Sequence, residues 1–161
     1  MNVKTMLVRN FPGRTCILAA AVALVFGAAA SAQVPDKGCS AASLYGTFSY
    51  TSVGSLVAPP SVAGPYAEVG AQVFDGHGGI TGSATISQNG NIIPVTITGT
   101  YVVNSNCTGT FSVAINPLGF TAHYSFVIDQ NETEFQALCT DTGAVITRVA
   151  RRQFAVEDWR R

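Results

Sequence analysis

Apolar and polar residues alternate with a period of two through most of this chain, and turn signals interrupt the pattern at short intervals. No other feature narrows the possible folds so far. Residues 101–115 (YVVNSNCTGTFSVAI) carry it most clearly, as two alternating runs flanking a polar Asn104-Ser105-Asn106 turn, with a cysteine opening the second run. A run of this kind is a β-strand with one buried face, and two such runs around a short polar turn form a hairpin.

The same signal recurs on both sides. Residues 44–53 place Leu44, Phe48 and Tyr50 on one face and Thr47, Ser49 and Thr51 on the other. A proline- and glycine-broken loop follows over 54–65. The second strand, 66–74, gathers Ala67, Val69, Ala71 and Val73 on one face. Asp75-Gly76-His77-Gly78-Gly79 is a turn whose glycines accept positive φ. The third strand, 80–87, has Ile80, Gly82, Ala84 and Ile86 inside. Asn89-Gly90 is a strong two-residue hairpin signal. A fourth strand covers 92–103, with Pro94 at an irregular start, and a fifth covers 107–115. Asn116-Pro117-Leu118-Gly119 turns into a sixth, 120–129, with Phe120, Ala122, Tyr124, Phe126 and Ile128 inside. The last two strands are 133–140 and 144–153, and residues 154–161 carry no strand pattern and are expected to fray.

Eight short strands with tight connections predict an all-β, antiparallel up-and-down barrel, which closes on itself and so leaves no sheet edge exposed. A two-sheet sandwich is the alternative. Only one connection is long, whereas a Greek-key sandwich needs several crossings, so the barrel is preferred. Charged residues make up only 11 % of the chain and there are 16 glycines, which suits a β-rich fold with many turns. Gly46-Thr47-Phe48, Gly99-Thr100-Tyr101 and Gly109-Thr110-Phe111 repeat one small-to-large step, as the taper of a small barrel requires.

Up-and-down order also decides the cysteines. Odd strands start at one end, so Cys39, ahead of the first strand, and Cys107, opening the fifth, share that end, while Cys139 closes the seventh at the other. A strand of about eight residues spans roughly 26 Å, far beyond disulfide reach. Cys39 is therefore paired with Cys107, its lead-in plugging the base, and Cys139 is left as a thiol.

Residues 1–32 read as a secretory signal peptide. Lys4, Arg9 and Arg14 precede an apolar run, and Ala30-Ser31-Ala32 provides the cleavage site, with Gln33 as the first mature residue. The expected location is secreted or periplasmic, an oxidising setting that agrees with a disulfide. Without the leader, six basic residues stand against nine acidic ones, a net charge of −3. This charge balance argues against nucleic acid as a partner, and after cleavage no membrane segment is expected. Arg148, Arg151, Arg152, Arg160 and Arg161 form the one basic concentration, read as a solvated face. Oligomeric state is not legible.

Asp75 and His77 share a glycine-rich turn at the plugged end, where turn chemistry accounts for them. His123 should face outward beside Ser125. Asn131-Glu132-Thr133 matches a glycosylation acceptor, relevant only in a host that glycosylates. No metal-ligand spacing and no catalytic triad can be assembled, so neither catalytic residues nor a cofactor is expected. The inward set over all eight strands is apolar apart from Tyr50, Tyr101, Tyr124 and Thr147, with no carboxylate or base. An eight-stranded barrel is commonly filled by its own side chains. Small residues such as Gly82, Ala84, Gly99, Ala122 and Ala137 could instead leave space for one apolar ligand, bounded by Tyr50, Tyr101, Phe111, Tyr124, Phe126 and Phe135.

Cys39-Ser40, Leu44-Tyr45-Gly46-Thr47-Phe48, Phe74-Asp75-Gly76-His77-Gly78, Thr98-Gly99-Thr100-Tyr101 and Cys107-Thr108-Gly109-Thr110 together resemble a set of uncharacterised secreted bacterial β-barrel proteins. In architecture the chain is similar to calycin barrels, which include lipocalins and allene oxide cyclase. The lipocalin Gly-x-Trp signature is absent, and no position carries the cyclase's catalytic groups. The resemblance therefore implies a fold and no activity. The leading expectation is an exported, non-catalytic barrel that binds a small apolar molecule. One alternative is an interaction module acting through its Thr/Ser-rich wall or through exposed Val102, Val127, Leu138 and Ile146. A second is a cyclase or isomerase using the interior.

Overall fold

Each turn in the sequence reverses the chain into the next strand. The computed structural model describes residues 38–153, so the signal peptide expected over 1–32 and the fraying tail expected over 154–161 lie outside the described residues. A short 3-10 helix, Ala41–Leu44, leads into eight strands: β1 Gly46–Leu56, β2 Gly64–Phe74, β3 Gly79–Gln88, β4 Asn91–Val103, β5 Thr108–Asn116, β6 Phe120–Ile128, β7 Glu134–Cys139 and β8 Ala144–Arg152. Each strand pairs antiparallel with the next, and β1 pairs antiparallel with β8 to close the barrel. An even strand number is what lets first and last meet antiparallel. Among the described residues no helix is long and apolar enough to cross a membrane.

The turns behave as their residues dictate. Asn89 and Gly90 both take positive φ, 50° and 81°, which is the type I′ geometry that matches strand twist in a two-residue hairpin. In the β2–β3 turn Asp75 accepts hydrogen bonds from the backbone N–H groups of His77 (2.7 Å) and Gly79 (2.8 Å). Pro94 lies inside β4, paired with Thr85 of β3 but before β5 pairing begins at Thr96. Curvature comes from inward glycines: a Cβ on Gly99 would sit 2.0 Å from the Ser112 carbonyl oxygen, so only glycine lets β4 and β5 bend together there.

Cys39 and Cys107 are disulfide-bonded at the base, with Cα atoms 4.9 Å apart, and Cys139 is a buried thiol at the opposite end. Above the disulfide, Leu44 and the rings of Phe48, Phe74 and Phe135 are essentially inaccessible. Phe74 meets Phe48 (5.5 Å), Tyr101 (4.9 Å) and Phe135 (5.7 Å) edge-on, the preferred arrangement of aromatic quadrupoles. Tyr101 donates to the Ala41 carbonyl (2.9 Å) and Arg152 to the Ser43 carbonyl (2.9 Å), tying the 3-10 segment to the wall.

Three expectations about side-chain direction are corrected. In β2 the face carrying Ala67, Val69, Ala71 and Val73 is the outer one, and Tyr66, Glu68, Gly70, Gln72 and Phe74 point inward. In β8 Ile146, Arg148 and Ala150 point inward, so Ile146 is not on the wall and Thr147 is exposed. Phe120, expected inside, is half exposed at the rim (48 %). Val102, Val127 and Leu138 are exposed on the wall as expected.

Candidate functional site

The inner faces of β8, β1 and β2 create the site's floor. Arg148 is the register partner of Ser52, and Ser52 is the register partner of Glu68, so the three occupy one row across neighbouring strands. Arg148 Nη2 donates to Glu68 Oε2 at 2.8 Å, with both side chains 1 % exposed. Arg148 Nε donates to Ser52 Oγ (2.9 Å) and Nη1 to Gln72 Oε1 (3.2 Å). Glu68 further accepts from Tyr50 (2.6 Å), Ser52 (3.1 Å) and Tyr66 (3.0 Å) hydroxyls. The guanidinium lies over the rings of Tyr50 (3.9 Å) and Tyr124 (4.6 Å). Two opposite charges can be taken out of water only when paired and hydrogen-bonded in this way. The expectation that the interior holds no ionisable group is therefore overturned, and Arg148 leaves the solvated basic cluster.

Electrostatics follow from burial. Desolvation alone would lower the Arg148 pKa, but the surrounding Tyr124, Glu68, Tyr50 and Tyr66 outweigh it and raise it. Burial likewise raises the pKa of Tyr50 and of Tyr66, helped by the adjacent Glu68 charge, and pushes Tyr124 up to about 12. The tyrosines therefore stay protonated, and Tyr50 and Tyr66 act as hydrogen-bond donors to Glu68.

On the far side of this floor from the aromatic base, a cavity of about 470 Å³ opens at the mouth. Its wall is mainly apolar: Leu56, Ile86, Ile93, Ile115, Leu118, Ala122 and Ile146, with Tyr66, Gln88 and Tyr124 among the polar residues that line it. A volume of this order and an apolar lining with a few convergent polar groups are what small-molecule sites show. Larger hollows, such as one of about 710 Å³ bounded by Val69, Ser83, Pro94 and Pro117, are shallow depressions of the outer wall without such convergence.

All six residues expected to bound a ligand are buried inside the barrel, but they divide. Tyr124 lines the cavity, Tyr50 lies in the floor, and Tyr101, Phe111, Phe126 and Phe135 belong to the packing beneath. Phe111 stacks on Tyr124 at 4.6 Å, and Phe126 packs on Phe135 at 5.6 Å. The inside is thus filled at one end and hollow at the other.

Sequence reasoning missed Glu68 and Gln72 in the floor, and Tyr66 and Cys139 in the mouth. A usable signal existed: Tyr66 and Phe74 share parity with Glu68 and Gln72, and large aromatics belong inside a small barrel. At the rim, Cys139 Sγ lies 3.6 Å from Asp141, whose other oxygen meets His123 Nδ1 at 2.7 Å. Burial and the neighbouring Asp141 charge raise the Cys139 thiol pKa against the opposing backbone hydrogen bond, so this thiol is a weak nucleophile. His123 is exposed as expected, and its pairing with Asp141 was not foreseen. Among the described residues no three His, Cys, Asp or Glu side chains gather as a metal site.

No family model and no curated protein matches the chain. Two solved structures are similar in fold. One redesigned β-barrel matches with a TM-score of 0.51 and 18 % identity, over 71 % of this chain and 95 % of its own. Another, the redesigned β-barrel mFAP1 bound to DFHBI, matches with a TM-score of 0.50 and 20 % identity, over 70 % of this chain and 97 % of its own.

Proposed function

We propose that this protein is an exported, non-catalytic barrel that binds one small, largely apolar molecule in its mouth. The observation that carries this reading is the apolar cavity above the Tyr66–Glu68–Arg148–Tyr124 floor. A barrel of similar fold is bound to a small molecule, DFHBI. Export rests on the basic and apolar leader pattern, and the Cys39–Cys107 bond is compatible with an oxidising compartment. Kinship with secreted bacterial barrels is part of the same proposal.

Native mass spectrometry of the exported protein tests the reading, together with titration by the neutral fluorophore N-phenyl-1-naphthylamine. A retained mass or saturable one-to-one dye binding is expected, and the Ala122→Trp variant, which places an indole in the cavity, should abolish it. Dye binding that is absent, or that survives Ala122→Trp in a folded variant, would refute the assignment.

A further inference from the structure

The mouth combines several features that together specify the ligand's chemistry. Arg148 is the cation nearest the cavity floor, and its charge is already matched by Glu68. Three more of its five N–H donors go to Ser52, Gln72 and Tyr124, and its faces are covered by Tyr50 and Tyr124. Among the described residues the cavity lining holds no Lys or Arg for an incoming anion. The rim adds a second carboxylate, Asp141, which is held by His123 on its outer side. Tyr124 differs from the other floor hydroxyls. Tyr50, Ser52 and Tyr66 all donate their protons to Glu68. Tyr124 accepts from Arg148 at 3.5 Å, and among the hydrogen bonds of the described residues its own O–H donates to none. A buried donor without an acceptor is costly, and this one belongs to a residue lining the cavity.

We propose, on the reading of the mouth as a ligand site, that its occupant is a neutral molecule whose inner end carries a hydrogen-bond acceptor, such as a carbonyl oxygen, for the Tyr124 hydroxyl. A carboxylate in the same place would face Glu68 with no Lys or Arg in the lining among the described residues to pair with it, and is rejected. A plain hydrocarbon fits the wall but leaves Tyr124 unpaired.

Three probes with one aromatic body separate these cases: 2-acetylnaphthalene, 2-ethylnaphthalene and 2-naphthoate, each titrated against bound N-phenyl-1-naphthylamine at pH 7. The ketone should bind about fivefold tighter than the hydrocarbon and at least about tenfold tighter than the carboxylate. In Tyr124→Phe the ketone's advantage over the hydrocarbon should vanish while the hydrocarbon binds at least as tightly as before, its cost of an unpaired hydroxyl removed, which also reports that the variant's cavity is intact. Naphthoate binding as tightly as the ketone, or ketone and hydrocarbon binding alike in the unmodified protein, would overturn the proposal and leave the cavity reading standing. Failure of all three probes and the dye would instead remove the cavity reading itself.

Discussion

The two ends of this barrel are built from the same strands, yet they solve opposite problems. At the base, the disulfide and the 3-10 segment cap interlocked phenyl rings, and side chains such as Phe48, Phe74 and Ala150 have no accessible surface. At the mouth, Leu118 and Phe120 are partly exposed and the space between the walls is unfilled. Between them lies the Arg148–Ser52–Glu68 row, which separates a packed interior from a hollow one. A closed barrel has one circumference to fill, so aromatics concentrated at one end release volume at the other. The floor then has to be rigid without being apolar, and a matched pair of charges, with Glu68 accepting from Arg148, Tyr50, Ser52 and Tyr66, meets that need.

The row between the ends offers the largest test of this contrast. Arg148→Met leaves Glu68 buried and uncompensated, and should cost about 3–5 kcal/mol in urea unfolding. Replacing both partners, as Arg148→Met with Glu68→Leu, should recover much of that loss. A single-variant cost under about 1 kcal/mol would mean that the row is not the divide between the two ends.

A smaller effect compares the ends directly. Ala150→Phe at the base forces a ring into closed packing and should cost about 1–3 kcal/mol. Ala122→Phe, the same change beside the cavity, should be close to neutral. Equal costs would show that the mouth is as full as the base.

The smallest effect concerns acid. Asp75, Asp129 and Asp141 have pKa values below the ordinary 3.8. For Asp75 the cause is hydrogen bonding from Gly79 and His77; for Asp129 and Asp141, burial pulls upward but is outweighed by donors from Glu134 and Thr133, and from His123. A depressed folded pKa contributes stability that is whole above 3.8 and lost as pH falls through the folded value. Two of these groups sit in base turns and one at the rim, so acid should loosen both ends. Carboxyl titrations by NMR check each, and Asp129 titrating at or above 3.8 would contradict its role as the β6–β7 turn's acceptor.

How much of this was legible in the sequence differs along the chain. Strands β3 and β6 announce their inner faces because Ile80 and Ile86 alternate with Thr81, Thr85 and Ser87, and Tyr124 and Phe126 with His123 and Ser125. The disulfide followed from strand order alone. In β2 and β8 the cue reversed: the outer wall is itself rich in valine, as at Val69, Val73, Val145 and Val149, because β-branched residues suit a strand whichever way they face. Greasiness then pointed the wrong way, and the floor was hidden precisely where its two charges lie. What a lone sequence does not display is that Glu68 and Arg148, on strands far apart in order, are brought to either side of Ser52 by closure.

That closure has a consequence for assembly. Every junction except one joins neighbours in the chain and can zip from a local turn, but the β1–β8 seam aligns Phe48 with Arg152 and Leu56 with Ala144. Its two halves can meet only after the whole polypeptide is present, and contacts so distant are slow to form. Arg148 comes from the final strand and its counter-ion from the second, so salt should act on refolding mainly at the moment the cylinder shuts. Stopped-flow refolding of Arg148→Met with Glu68→Leu should lose that salt sensitivity.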